Sequence, residues 1–343
     1  MQIGLDDFLR LRKEFPIVDV RSEGEYGEGH ILQAMNIPIL NNAERIQVGT
    51  DYKQKGQQEA IRTGFRLVGP RLASIIEETE KIGDEILVHC WRGGMRSSNF
   101  CQFVEMAKIK THSLTGGYKA YRQRALDSFK SPFNFIILGG STGSGKSEVL
   151  RELKNAGEQV IDLESLAKHK GSVFGGLMMP PQPTTEQFQN ELFEEIIKLD
   201  LSKRIWIEDE SIAVGKIFLP EPLWRQMNAS AVVELQVDKT TRIERLVAEY
   251  GIADKSEFLK AMEKIIKKLG GQHFNAAREK LLAGDMSSTI DILLTYYDKA
   301  YNNGLIKKQN RIVSRIEWDG KLAGHCASEL QKIKINQLQK QFK

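Results

Sequence analysis

Chemistry could first occur in this chain at a cysteine followed, within seven residues, by two arginines, two glycines and a serine. In ILVHCWRGGMRSSNF (86–100), Cys90 stands at the end of an apolar strand, a loop runs from Trp91 to Arg96, and a helix begins near Ser97. A loop that closes onto a helix N-terminus points backbone N–H groups inward, and the helix dipole adds partial positive charge. Gly93 and Gly94 let the backbone curl, and Arg92 and Arg96 bring two permanent cations. Each feature favours thiolate over thiol, and a thiolate in such a cup can hold sulfur or selenium. The plainer reading is a buried cysteine at a strand end, and it applies to Cys101 and Cys326. The catalytic reading requires that residue 90 not be sealed among apolar neighbours.

A second constellation is GSTGSGKS, Gly140–Ser147, a full G-x-x-x-x-G-K-S between a predicted strand and a predicted helix. In this motif the N–H groups around Gly140, Gly143, Ser144 and Gly145 wrap a diphosphate. Lys146 contacts its outer oxygens, and Ser147 can bind Mg2+. RIWIEDES (204–211) is an apolar strand running into Glu208, Asp209 and Glu210, where a carboxylate could orient a metal-bound water or accept a proton. Asp209 is the expected catalytic acid, although spacing does not separate the three. A nucleotide is not required by this loop, since an isoprenyl diphosphate fits the same cradle. GSVFGGLMMPPQP (171–183) could line an apolar tail or be core and turn. Arg242 and Arg245 could clamp phosphates over the loop.

The surrounding pattern alternates strands and helices. Apolar runs at Phe15–Val20, Glu85–Cys90 and His112–Leu114 suit parallel strands, with helical spacing over Gly69–Lys81 and Ser97–Ala107. Asn41–Arg66 is polar and reads as an irregular insertion. ALDSFKSPFN (125–134) reads as a junction. Strands are then expected at Phe133–Leu138, Val160–Leu163, Ile205–Ile207 and Val232–Val237, and helices from Lys255 through Ile290–Tyr301 into a basic tail.

At 343 residues the chain suits two domains. With 41% hydrophobic and 27% charged residues it has a globular composition. Its N-terminus does not read as a signal peptide, and no apolar run approaches the roughly 18–20 residues of a membrane span, so the expected location is cytoplasmic. Three cysteines exclude a disulfide framework, and no Cys or His pair has ligand spacing, so no protein-held metal site is expected. The net charge is +4, but residues 299–343 carry ten Lys/Arg against three Asp/Glu, a surplus that suits either a phosphate backbone or a solvated surface. Lys260, Lys264, Lys267 and Lys268 are spaced to share a helix face, and Arg311 and Arg315 lie in the tail.

The cysteine loop, the upstream IVDVRSEGEYGEGHILQAMNIP and the downstream LTGGYKAYR together resemble rhodanese-type sulfurtransferases. That resemblance implies that Asp19 and Arg21 support the architecture and that Cys90 carries the transferred chalcogen. With FRLVGPRL (65–72), EDES, IFLPEPLW (217–224) and LLTYYDKAY (293–301), nearly the whole chain resembles the tRNA 2-selenouridine synthase family. The resemblance implies an α/β architecture: a rhodanese-like parallel-sheet domain over 1–127, then a P-loop NTPase-like α/β domain over 133–343 with a helical, basic C-terminal region. It also implies a two-step reaction. A wobble 2-thiouridine of tRNA takes a geranyl group from geranyl diphosphate, and selenium from selenophosphate then replaces the geranylated sulfur. The implied partners are tRNA and a selenophosphate-producing enzyme, without a membrane. Two other readings fit the motifs: a sulfurtransferase fused to an ATP-dependent kinase acting on a small molecule, and a non-catalytic sensor of redox state and nucleotide.

Overall fold

The computed structural model describes residues 1–333, so the end of the basic tail lies outside the described residues. The chain forms two compact units, one of Met1–Ser128 with Gln189–Glu194 and one of Phe129–Phe188 with Glu195–Lys343.

The first unit is built on five parallel strands, β1 (Gln2–Ile3), β2 (Ile17–Asp19), β3 (Met35–Asn36), β4 (Glu85–His89) and β5 (Lys110–Leu114), in the order β1-β5-β4-β2-β3. Val18, Ile86, Leu87 and Val88 are wholly buried, as expected of a parallel sheet covered on both faces. Cys90 follows β4 and Asp19 ends β2, so both lie at the carboxyl edge beside the point where strand order reverses.

Asn41–Arg66 is not irregular. It forms two antiparallel helices, Asn42–Lys55 and Gln57–Val68, joined at Gly56. The first has little apolar periodicity and is ordered largely by polar contacts, whereas the second carries an apolar face of Ala60, Ile61, Phe65 and Val68 interrupted by Gly64 and flanked by charged residues. Asn41 and Glu44 form a reciprocal capping box, and the Thr63 hydroxyl donates to buried Asp51 at 2.7 Å.

The second unit carries β6 (Phe135–Gly140), β7 (Gln159–Ile161), β8 (Ile205–Glu208), the antiparallel ribbon β9 (Ala213–Val214) and β10 (Ile217–Phe218), then β11 (Ala231–Gln236) and β12 (Ile312–Glu317). Its main sheet is parallel, ordered β12-β11-β6-β8-β7, with the phosphate-loop strand in the middle. Strand β12 corrects the expectation of a helical tail, since Ile312–Glu317 extends alongside β11 and adds an edge. Ile136, Leu138, Trp206 and Val233 form the core around the sheet. A separate cluster gathers Phe174, Tyr250, Phe258 and Met262 among the helices.

Candidate functional sites

In the first unit, Asp19 and Arg21 are completely buried. The Arg21 Nη2 donates to Asp19 Oδ2 at 2.6 Å and to the Gly29 carbonyl at 2.7 Å, and the guanidinium lies 3.8 Å from the Tyr118 ring centroid. The pair ties β2 to the segment that follows it. Burial pushes the Asp19 carboxyl up, but His89 and Arg21 together hold it below its usual range.

The helix after the cysteine starts at Met95, two residues earlier than expected, which leaves Trp91–Gly94 as the loop. Gly93 has φ +66°, and a Cβ there would lie 2.7 Å from the Leu114 carbonyl oxygen and 2.9 Å from the Gly116 nitrogen. Gly94, by contrast, has negative φ and open space around it, so the sequence reading assigned it a constraint it does not have. The loop is fastened where Tyr118 and Lys119 donate their N–H groups to the carbonyls of Cys90 and Trp91 at 2.8 and 2.9 Å.

Cys90 is only 3% exposed and packs in the apolar core, so the cup is far more closed than its loop implies. It is not sealed by apolar groups alone, because its Sγ lies 3.2 Å from the Ser97 hydroxyl. Burial pushes the Cys90 thiol up. The Ser97 hydroxyl and N–H, the Arg92 N–H and the Arg96 charge outweigh this and leave it below the ordinary cysteine value.

The two arginines differ in what they contribute. Arg92 extends an exposed side chain and acts on the sulfur through its backbone. Arg96 acts through its charge while bound to both carboxylate oxygens of Glu25, at 2.6 and 3.1 Å. Glu25, which the sequence reading did not single out, therefore moderates the field at Cys90. Burial raises the thiols of Cys101 and Cys326, the latter to about 12, as befits packing residues.

In the second unit, a cavity of about 700 Å³ opens over the phosphate loop. Gly140, Gly143, Gly145, Lys146 and Ser147 line it, at the positive end of the helix Lys146–Asn155. Gly145 has φ +77°, and a Cβ would meet the Arg245 guanidinium at 2.6 Å and the Trp318 ring at 2.8 Å. The Lys146 Nζ donates to the Gly140 carbonyl at 2.8 Å, and the Ser147 hydroxyl donates to Glu164 at 2.7 Å. Ser144 does not reach the wall: its hydroxyl is buried, though its N–H shapes the loop by donating to the Ser141 carbonyl.

The three acids after β8 occupy different environments. Glu208 is wholly buried and accepts the Leu163 N–H at 3.0 Å. Burial, Asp162 and Glu164 push its carboxyl well above the usual range. Asp209 lines the cavity and is ion-paired with Lys308. Glu210 also lines it, and burial with the neighbouring Glu164 pushes its carboxyl up to about 8. The unfolded chain releases that proton near pH 4.3. Glu210 therefore contributes stability that is complete below that value and is lost as pH rises through about 8. Thermal melts of the ligand-free protein should show the second unit weakening across this window. Glu210→Gln should remove that part of the pH dependence.

Other expected phosphate contacts are redistributed. Arg242 is buried, pairs with both oxygens of Asp298 at 2.7 and 2.9 Å and donates to the Thr142 carbonyl, so it braces the loop from behind. Arg245 lines the cavity, held by Glu148 and by the Gly320 carbonyl. Of the stretch 171–183, Gly171, Ser172 and Met179 face the cavity, whereas Phe174 stacks on Phe258 in the core. Tyr250, Tyr297 and Tyr301 complete an aromatic wall.

Two family models match the chain: a rhodanese-like domain over residues 5–124 and the tRNA 2-selenouridine synthase AAA domain over residues 133–331. The chain belongs to the tRNA 2-selenouridine synthase family. It is 35% identical to the synthase of Marinobacter nauticus, with 90% of this chain and 94% of that protein covered. Identity and both coverages are the same for the synthase of Hydrogenovibrio crunogenus. Among solved structures, the N-terminal domain of a Clostridium difficile 630 protein described as ATP/GTP-binding is 42% identical, covering 36% of this chain and 97% of its own, with a TM-score of 0.34.

Proposed function

We propose that this chain converts the wobble 2-thiouridine of tRNA to 2-selenouridine through an S-geranyl intermediate, using geranyl diphosphate and then selenophosphate. The observation that carries the reading is the pairing, in one family member, of a thiol pushed toward thiolate with a phosphate-loop cavity walled by tyrosines.

Geranylation forms a bond from the thiouridine sulfur to C1 of the geranyl group and breaks the bond from C1 to the diphosphate. Negative charge grows on the leaving group, where the loop N–H groups, the helix N-terminus and Lys146 lie. The base loses its N3 proton as the sulfur is alkylated. Asp209 is the assigned acceptor, because Glu210, raised to about 8, is largely protonated at neutral pH. The aromatic wall of Tyr250, Tyr297 and Tyr301, with Met179 and Leu246, suits the hydrocarbon chain.

Mg2+ fits beside this diphosphate. Ser147 donates to Glu164, and Glu164 is hydrogen-bonded with Glu210, so a cation bound there would displace the Glu210 proton and meet both carboxylates. Among the described residues no three acidic, His or Cys side chains converge to hold a metal, so such a cation would be shared with Ser147 and the diphosphate. It would supply charge neutralisation of the leaving group.

In the second step selenium from selenophosphate becomes bonded to C2 of the base, and the C2–S bond breaks with the geranyl group still on the departing sulfur. Cys90, held by Ser97 and the loop N–H groups, is the nucleophile assigned to C2. Its thiolate bonds C2 as geranyl thiol departs, it leaves again as the selenium of selenophosphate bonds C2, and water then cleaves the P–Se bond to release phosphate.

The tRNA is held mainly through phosphates. Lys260, Lys264, Lys267 and Lys268 are exposed, but they do not lie on one helix: Lys260 is on Lys255–Glu263, Lys264 caps its end, and Lys267 and Lys268 are on Ile266–Leu269. In the basic tail Arg311 donates to the carbonyls of Met227 and Ser230, and the half-exposed Arg315 donates through its Nε to Glu234. If the four lysines neutralise four phosphates, replacing all four with serine should flatten the slope of log affinity against log salt by about 3. Filter binding across a salt series checks this. No described helix is long and apolar enough to cross a membrane.

Reconstitution tests the whole reading. Purified protein, 2-thiouridine tRNA and geranyl diphosphate should yield the S-geranyl nucleoside and free diphosphate, and adding selenophosphate should yield 2-selenouridine. ATP-dependent phosphorylation of a small molecule, with no change in the tRNA, would favour the kinase alternative instead.

A further inference from the structure

A second, smaller cavity of about 160 Å³ lies in the first unit, between the two helices of residues 42–68 and the helix that follows the cysteine loop. Its wall is apolar, with Ile39, Leu40, Val48, Ala60, Val68 and Phe103 among the lining side chains. Met95, Arg96 and Asn99, from the first turns after the Cys90 loop, complete it. Arg96 also reaches Glu25 and contributes charge at the Cys90 sulfur, so this cavity adjoins the thiol site.

An unfilled apolar cavity lowers stability, and this one is bordered by side chains that a purely structural packing would cover. Tyr52, Phe65 and Met95 line it yet are 59%, 56% and 50% exposed. The two helices also hold to each other partly through a buried polar contact, Thr63 to Asp51. Their arrangement shapes a hollow more than it fills a core.

We infer that this cavity binds the prenyl chain of the S-alkylated base during the selenium step, and so sets the base against the Cys90 loop. The inference rests on the two-step reading above. Size supports a short hydrocarbon: a dry apolar cavity of about 150 Å³ admits benzene, so this one encloses about six carbons. That is one isoprene unit and part of the next, leaving the sulfur-proximal carbons to lie on Met95, Phe65 and Tyr52 at the mouth. Chemistry supports it as well. The polar lining side chains, Gln57, Arg96 and Asn99, are few, and Arg96 is committed to Glu25, so recognition of a whole nucleobase inside is disfavoured. Held by its tail, the base would leave its C2 and sulfur outside the cavity on the Met95–Arg96 side.

The test uses the full chain and three anticodon stem-loop RNAs that differ only at the base: 2-thiouridine, S-methyl-2-thiouridine and S-geranyl-2-thiouridine. Each methylene moved out of water contributes roughly fourfold in affinity. The geranyl RNA should therefore bind at least about tenfold more tightly than the S-methyl RNA. Ala60→Phe and Val48→Phe fill the cavity from two different helices. Each should erase that preference, leave S-methyl binding unchanged and slow selenation of the geranyl RNA about tenfold or more. Selenation of the S-methyl RNA at the wild-type rate by each variant reports that the first unit and its Cys90 loop remain folded.

A tail preference that survives both substitutions overturns the inference. So does a preference lost on Tyr297→Ala in the phosphate-loop cavity but kept on Ala60→Phe. Equal binding of the three RNAs by wild type, as expected if the cavity instead receives a protein segment, overturns it too. A wild-type protein that shows the tail preference, lost on filling, yet forms no 2-selenouridine supports the cavity assignment while overturning the functional reading.

Discussion

Cys90→Ala should lower the rate of selenation by at least about 10³-fold, as expected for loss of a nucleophile, while leaving S-geranylation within about twofold. The sulfur is the soft nucleophile assigned to the selenium step, and an alanine methyl neither ionises nor bonds a chalcogen. The phosphate-loop cavity is lined entirely by residues of the second unit, so the first step should proceed. Nucleoside analysis of tRNA from cells carrying the variant should show S-geranyl-2-thiouridine accumulating in place of 2-selenouridine. The field around the sulfur offers a companion measurement. Ser97→Ala removes the 3.2 Å contact to Sγ, so the thiol should titrate higher and the rising limb of the selenation pH profile should move to more alkaline pH. Cys101→Ala and Cys326→Ala, at thiols that burial pushes up, should leave selenation in place. Unchanged 2-selenouridine with Cys90→Ala would remove the thiol from the mechanism.

Lys146→Ala should slow S-geranylation by about 10²–10³-fold, the usual effect of deleting one donor aimed at developing charge. Three of the neighbouring cations have other commitments, while Arg151 also lines the cavity. Arg242 is bound to Asp298, Arg245 to Glu148 and Lys170 to Glu249, whereas Lys146 donates only to the Gly140 carbonyl, a contact that a phosphate oxygen can replace. Single-turnover release of diphosphate measures the effect. The same variant, supplied with RNA already carrying S-geranyl-2-thiouridine, should form 2-selenouridine at close to the wild-type rate. With Cys90→Ala this gives a reciprocal pair of lesions, one in each step. A Lys146→Ala protein that geranylates normally would place diphosphate departure elsewhere.

Both motifs and most strands were legible in the sequence because local covalent pattern is sufficient to specify them. The short apolar run Glu85–Cys90, bounded by Gly-Asp and by the Gly-Gly loop, suits a buried strand, and G-x-x-x-x-G-K-S shapes its loop from its own backbone. The helix Asn42–Lys55 leaves little periodic apolar signal because its order comes from a capping box and a buried Thr63–Asp51 contact, and the apolar face of the helix Gln57–Val68 is obscured by the charged residues around it. Strand β12 was hidden in a basic segment. What makes Ile312–Glu317 a strand is a place beside β11, where Glu234 receives Arg315, and that place exists only once the sheet has formed.

The sequence by itself determined which groups are available to the proposed chemistry, the Cys90 thiol and the Gly140–Ser147 loop, since residue type and short spacing set what a side chain can do. Only the tertiary structure decided how strongly each group acts, because charge and burial depend on neighbours distant along the chain. Glu25 shares the charge of Arg96, Lys308 pairs with Asp209, Glu164 raises Glu210, and Arg242 turns away to Asp298. The hollow beside the cysteine loop likewise belongs to no single segment, since it is the space that the residue 42–68 helices and the helix from Met95 leave between them.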